Sequence, residues 1–169
     1  MGYTVSHTIE TDIETFWNLF FDVDVARALI ADLGNIGGFE IIEERTDDQG
    51  RRHRRIECWS NVELPEIVKK LIGDGAYTEV GCFDPARKVY QAECIPKRGA
   101  EKFGTKFEVV AVPIADGRHC ERRVSTENTL KIFGIGGMLE GLLERTQRDG
   151  HAHSAKFLNN WIHTRLRPA

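Results

Sequence analysis

Cys120-Glu121-Arg122-Arg123-Val124-Ser125-Thr126-Glu127-Asn128-Thr129-Leu130-Lys131-Ile132, followed shortly by Gly134-Ile135-Gly136-Gly137, is the stretch whose reading decides the fold. Its first part alternates as a strand does, with Cys120, Arg122, Val124, Thr126, Asn128 and Leu130 on one face. Beyond the glycines the period changes to that of a helix, which reaches about Arg165. A long terminal helix after a mostly antiparallel sheet has a simple packing solution: the sheet curls and the helix lies in its grip. A space left between helix and sheet is where a small apolar ligand would sit.

Working outward, Tyr3 to Glu10 alternates, with Tyr3, Val5, His7 and Ile9 on one face. Thr11 or Asp12 caps a helix whose buried stripe is Ile13, Phe16, Trp17, Phe20 and Phe21. A second short helix is expected from about Asp24 to Leu33, stopping at Gly34, with a flexible loop through Gly37-Gly38. Strands are expected at Phe39–Arg45, from Arg54 to Leu64, and at Tyr77–Phe83, Lys88–Ile95, Lys102–Pro113 and Cys120–Ile132. Ile56, Cys58, Ser60, Val62 and Leu64 share one face of the third, and Trp59 is the apolar exception on the other. Pro65 to Gly73 reads as a short helix or lid. Turns punctuate the strands at Asp47-Asp48-Gln49-Gly50, Asp84-Pro85-Ala86-Arg87, Pro96-Lys97-Arg98-Gly99 and Ala115-Asp116-Gly117-Arg118.

Composition narrows the class. The 169 residues fit one domain, 1–169, and a chain of this size buries roughly two-thirds of its unfolded surface without staples. Apolar content of 41% and charged content of 29% are those of an ordinary globular protein. A net charge of -3 argues against nucleic-acid binding, and Arg51-Arg52-His53-Arg54-Arg55 falls at a turn and strand entry. The four cysteines, Cys58, Cys82, Cys94 and Cys120, form no C-x-x-C pair and read as buried inert thiols. No signal peptide and no membrane span is legible, so a reduced, cytoplasmic protein is expected. Gly2 and Ser6 satisfy a loose myristoylation pattern, but Tyr3 already starts a strand and no basic cluster is near.

The element order, with the opening Tyr3-Thr4-Val5-Ser6-His7-Thr8-Ile9, the helix start Ile13-Glu14-Thr15-Phe16-Trp17 and the helix end Phe157-Leu158-Asn159-Asn160-Trp161-Ile162, resembles one superfamily. It groups START lipid-transfer domains, polyketide cyclases and birch-pollen-allergen-like proteins (SRPBCC), and the chain looks like an uncharacterised bacterial branch of it. The resemblance covers nearly the whole chain. It implies an α+β helix-grip fold: a curved antiparallel sheet of about seven strands around the C-terminal helix, two short helices after the first strand, and an internal cavity. Most relatives bind or carry hydrophobic molecules, while a minority are enzymes, and the fold does not choose between them.

Candidate chemistry lies on the inward faces. The stripe Ile135, Met138, Leu139, Leu142, Leu143, Thr146, Gly150, His153, Ser154, Phe157, Leu158 and Trp161 has a small, polar middle, as a helix passing a cavity would. A kink at Gly150 would give the same pattern. His151 and His153 are two residues apart on a helix and cannot chelate one ion together, so no metal and no cofactor is expected. His7 shares a face with Tyr3, Val5 and Ile9, as a core histidine does. Arg122 is placed to hold an acidic head group if its face points inward, and Glu93 to accept a proton; a one-residue shift would reverse both. No nucleophilic triad is legible from spacing. The glycines at 134–137 read as a hinge beside the pocket entrance, with anion binding at the helix N-terminus as the lesser reading, and Leu64 to Ile72 as the opposing lip.

The function expected is non-catalytic binding or transport of a hydrophobic small molecule, such as a lipid or polyketide-like compound. Its lining is taken as Phe16, Phe20, Ile56, Cys58, Phe107, Val109, Val124, Met138, Leu142, Thr146, His153 and Phe157. The alternative is a cyclase/dehydratase-type enzyme in the same cavity, with a His, Glu or Tyr moving a proton. A third reading is an interaction module with a solid core. The small molecule is the expected partner, with no nucleic acid and no stable membrane insertion; a homodimer is left open.

Overall fold

Apolar alternation, two aspartate caps and a pair of bulges account for most of the architecture. The computed structural model describes residues 2–61, 66, 69–70, 73–131 and 136–166, apart from the side chain of Met138. In chain order these form β1 (Gly2–Ile9), α1 (Ile13–Phe21), α2 (Val23–Leu33), β2 (Ile36–Thr46), β3 (Arg52–Ser60), β4 (Tyr77–Asp84), β5 (Val89–Pro96), β6 (Phe103–Ile114), β7 (His119–Leu130) and α3 (Gly136–Trp161). A 3-10 turn at Ala115–Gly117 precedes β7, and a π-turn at Ile162–Leu166 follows α3. The strands make one seven-stranded antiparallel sheet in the order β1-β7-β6-β5-β4-β3-β2. The helix-grip expectation is met, with the long helix last and two short helices after β1.

Asp12 caps α1 by accepting from the Thr15 backbone N–H at 2.9 Å and its hydroxyl at 2.8 Å. Asp22 then separates α1 from α2, accepting from the N–H groups of Asp24 and Val25. Without that acceptor the apolar run would favour one continuous helix, because the first N–H groups of α2 would have no partner.

Gly37 and Gly38, expected in a loop, lie inside β2. The register between β2 and β3 slips between Ile36 and Gly38 and again between Ile41 and Glu43. Such bulges bend and twist a strand, which curls this edge of the sheet. The Trp59 indole accounts for Gly38: a Cβ there would fall 2.9 Å from its ring atoms. This is the neighbour that the outward-facing tryptophan reaches.

Cross-strand register puts the concave face in rows. Ile56, Glu79, Cys94, Thr105 and Asn128 form one; Arg54, Gly81, Ala92, Phe107, Thr126 and Tyr3 the next; Phe83, Tyr90, Val109, Val124 and Val5 a third. Beyond these lie Ala111, Arg122 and His7, then Cys120 and Ile9. The faces read for β1, β3, β5 and β7 are those observed, and Glu93 is exposed on the other side.

The packed core occupies the end of this face nearest α1. Phe16, Trp17 and Leu19 meet Phe83, Tyr90, Val109, Val124 and Cys120, with Leu158 of α3 and Ile162 of the π-turn after it closing the core. Trp17 lies 4.5 Å from the Phe83 ring and Phe20 5.0 Å from Tyr90, centroid to centroid. Edge-on and tilted aromatic contacts of this kind add about 0.5–1.5 kcal/mol each beyond their buried area. Asn159 holds α3 to β1, its amide accepting from Glu10 N at 2.9 Å and donating to Thr8 O at 3.0 Å.

Candidate functional site

The other end of the concave face is polar, and α3 crosses it through hydrogen bonds. Asn128 and Gln147 exchange amide bonds at 2.8 and 3.2 Å. Tyr3 donates to Gln147 at 3.0 Å and Thr105 donates to Asn128 at 2.8 Å, so β1, β6, β7 and α3 share one network. Further along, Arg122 is 6% exposed and donates to Ser154 Oγ at 2.9 Å and His151 O at 2.7 Å. No carboxylate pairs with it among the described residues. Burial lowers Arg122 to about 10; burial, then the Arg122 charge, lowers His151 to about 4. His7 lies 3.4 Å from Arg122 and is lowered for the same two reasons.

These bonds set the rotation of α3, and they differ from the apolar stripe expected. Gln147, His151, Ser154 and Ala155 face the sheet with Leu158 and Ile162. Leu142 is 56% exposed; Thr146 is exposed and bonds back to Leu142 O. The His153 side chain is 45% exposed and lies 2.5 Å from Asp32 of α2. The small polar middle of the stripe is therefore explained by hydrogen bonding to β7 and by solvent. The helix runs unbroken through Gly150.

A second group lies on β3, β4 and β5. Tyr90, 1% exposed, sends its hydroxyl across Gly81 to donate to Glu79 Oε1 at 2.6 Å. Only glycine fits beneath it, because a Cβ on Gly81 would lie 1.9 Å from the phenol oxygen. Desolvation raises the Glu79 carboxyl above its usual range, against smaller lowering by the Tyr90 hydrogen bond and the Arg54 charge. Desolvation followed by Glu79 pushes Tyr90 far up. Arg54 lies 3.2 Å from Glu44, which Arg52 also pairs with at 2.7 Å, and its guanidinium lies 5.3 Å over the Phe21 ring. Around Glu79 stand Ile56, Cys58, Tyr77 and Cys94; burial raises Cys58 to about 11 and raises Tyr77 and Cys94 strongly.

Tyr77, Glu79 and Cys94 share an unusual pair of properties. Their acid groups are desolvated by surrounding protein, yet each side chain is only half-buried.

Two clefts lie elsewhere. One of about 450 Å³ runs between α1 and the ends of β2, β3 and β4, lined by Trp17, Phe21, Arg52 and Phe83. The other, of about 480 Å³, is largely on the outer sheet face at Val80, Gln91, Glu93, Lys106 and Glu108.

Of the expected lining, Ile56 and Cys58 are buried beside Glu79 and Tyr77, and Phe107 is half-buried 6.1 Å from the Tyr90 ring. Phe16, Phe20, Val109 and Val124 sit in or against the packed core, and Phe157 packs 5.7 Å from Trp161. The Met138 side chain, Gly134 and Ile135, and the lip at 64–72 apart from the exposed Glu66, Lys69 and Lys70 lie outside the described residues.

Sequence spacing passed over Glu79, although its alternation with Tyr77 and Phe83 marks a lone carboxylate on an aromatic face. Spacing also missed Cys82, whose sulfur lies 4.0 Å from His53 Nε2. That same nitrogen is 2.9 Å from Asp47 Oδ2, whereas a triad would use opposite ring nitrogens. The cluster ties down the β2–β3 turn, with His53 and then Arg51 holding the Asp47 carboxyl well below its usual range.

The seven-stranded antiparallel sheet and the long terminal helix define a helix-grip fold. Residues 4–162 match the model of a family described as a protein of unknown function (DUF2505), and the chain belongs to that family. Among solved structures it is similar to a START superfamily protein from Mycobacterium smegmatis, with TM-score 0.63 and 16% identity over 96% of this chain and 97% of that one. It is also similar to the di-domain ARO/CYC BexL from the BE-7585A biosynthetic pathway: TM-score 0.67, 10% identity, 99% of this chain and 48% of that one. Norcoclaurine synthase from Thalictrum flavum gives TM-score 0.63 and 17% identity over 96% of this chain and 87% of the synthase. No curated protein matches the sequence. Among the described residues no helix is long and apolar enough to cross a membrane.

Proposed function

We propose that the chain binds a small, mainly hydrophobic molecule, of lipid or polyketide-like character, between α3 and the polar end of the concave sheet. The observation that supports this most directly is the set Tyr77, Glu79 and Cys94, desolvated and still accessible. Ile56, Cys58 and Phe107, expected from the sequence, would supply apolar wall beside them. Burial of apolar ligand surface would drive binding at about 25 cal/mol per Å2, and the polar groups would orient the molecule. Native mass spectrometry of the purified protein, followed by solvent extraction, tests it. A retained apolar molecule, or uptake of an apolar fluorophore reduced by Ile56→Asp, is the expected result. An empty protein that takes up no apolar probe would sink the reading.

Catalysis of the cyclase or dehydratase type in the same space is the second reading, and Glu79 with Tyr90 favours it. A carboxyl and a phenol 2.6 Å apart in a dry site are placed to move a proton. Turnover of a polyketide-like substrate that Glu79→Gln abolishes while binding persists is expected here; turnover untouched by that change would exclude this role.

A further inference from the structure

Glu79 is organised as a directional group, beyond merely being buried. Tyr90 occupies one carboxyl oxygen, Oε1, and no other hydrogen bond to this carboxyl occurs among the described residues. The phenol that holds it cannot wander: the Phe20, Phe21 and Phe107 rings stand 5.0, 6.0 and 6.1 Å from its centroid. Gly81 supplies the clearance that lets the phenol cross the strand. Arg54, whose charge lowers the Glu79 carboxyl against the larger effect of burial, lies 3.2 Å from Glu44, a carboxylate it shares with Arg52. On its own row Glu79 stands between Ile56 and Cys94, and neither competes for its oxygens. A carboxyl fixed at one oxygen, half-buried and flanked by Ile56 and Cys94, is arranged to engage one polar atom of an otherwise apolar molecule.

We propose that Glu79 is the polar anchor of this pocket, donating a hydrogen bond from its free carboxyl oxygen to a carbonyl oxygen of the ligand, with Tyr90 and Gly81 as positioning residues. The inference rests on the binding reading above and narrows its ligand to neutral, carbonyl-bearing hydrophobic molecules. Desolvation agrees with the required state, because it favours the neutral carboxyl, which alone can donate. An ionised carboxylate would instead repel the carbonyl oxygen.

The test compares acetylnaphthalene with ethylnaphthalene, which share a shape and differ by one oxygen, by equilibrium dialysis against wild type, Glu79→Leu and Glu79→Gln. Wild type is expected to prefer the ketone by about fivefold to tenfold, the worth of one neutral hydrogen bond. Glu79→Leu should abolish the preference while still binding the hydrocarbon, which also shows that the variant is folded. Glu79→Gln, whose amide can donate, should restore most of it. In carbon-13 glutamate-labelled protein the carboxylic acid stretch should shift on adding the ketone and not the hydrocarbon. Equal binding of both probes by wild type, or a preference that survives in Glu79→Leu, overturns the anchor and leaves the binding reading standing. Failure of wild type to bind either probe overturns both.

Discussion

Replacing Gly81 by alanine tests whether the Tyr90–Glu79 contact is built in or incidental. The backbone gives no reason for glycine there, since Gly81 is not among the positive-φ residues and its strand conformation suits alanine. The obstacle is the phenol: a new Cβ would lie 1.9 Å from Oη, 2.3 Å from Cζ and 2.8 Å from Cε2 of Tyr90. Tyr90 is 1% exposed and walled by Phe20, Phe21 and Phe107, so its ring cannot swing aside without disturbing them. Overpacking costs about 1–3 kcal/mol, and a buried carboxyl stripped of its donor costs about 1–3 kcal/mol more. The stiffer unfolded chain returns about 0.4–1 kcal/mol. A net loss of about 1–5.5 kcal/mol follows from these opposing contributions. Urea unfolding of Gly81→Ala in the wild-type and Tyr90→Leu backgrounds measures it. In the second background the clash is gone, and alanine should be neutral or stabilising by up to about 1 kcal/mol. A loss under about 0.5 kcal/mol in wild type, no larger than an ordinary surface change, would refute the cradle. So would an equal loss in both backgrounds.

Two further outcomes follow from the buried titratable groups. His151 is held near 4 in the folded state against an ordinary 6.5, so the unfolded chain binds the extra proton between those values. Stability should be full above about pH 7 and fall through that window, by on the order of 3 kcal/mol by pH 4 if His151 acted alone; urea unfolding at stepped pH, with His151→Phe removing most of the slope, checks it. The cysteines should divide by burial: Cys58 and Cys120, buried and raised to about 11, should resist a thiol reagent at pH 8 while half-buried Cys82 on the outer face reacts, as peptide mass mapping would show. Labelling of Cys120 before Cys82 would contradict the packing described.

How much was legible depended on which force set each feature. Strand faces were readable because a period of two leaves a residue such as Arg122 only two options, and Val124 and Cys120 settle which. The rotation of α3 was not, because hydrophobicity favoured Leu142 while Gln147, His151 and Ser154 were needed by partners on β7 far away in sequence. Gly38 and Gly81 tell the same story: each is glycine on account of an aromatic ring on a neighbouring strand, invisible until register is known. Glu79 stood out only weakly, as one carboxylate between Tyr77 and Phe83, and its importance rests on a phenol eleven positions away.

The position of β1 bears on how the chain is made. Its hydrogen-bonding partner is β7, so Tyr3 awaits Thr126 and Ile9 awaits Cys120. During synthesis the first strand leaves the ribosome with no neighbour to zip onto, and stays an unpaired edge until nearly the whole sheet has emerged. Closure is therefore a late, long-range event, slow by its loop length and open to wrong pairings meanwhile. The aspartate-capped α1 and α2, by contrast, draw their hydrogen bonds from neighbouring residues and wait on no distant strand for a backbone partner.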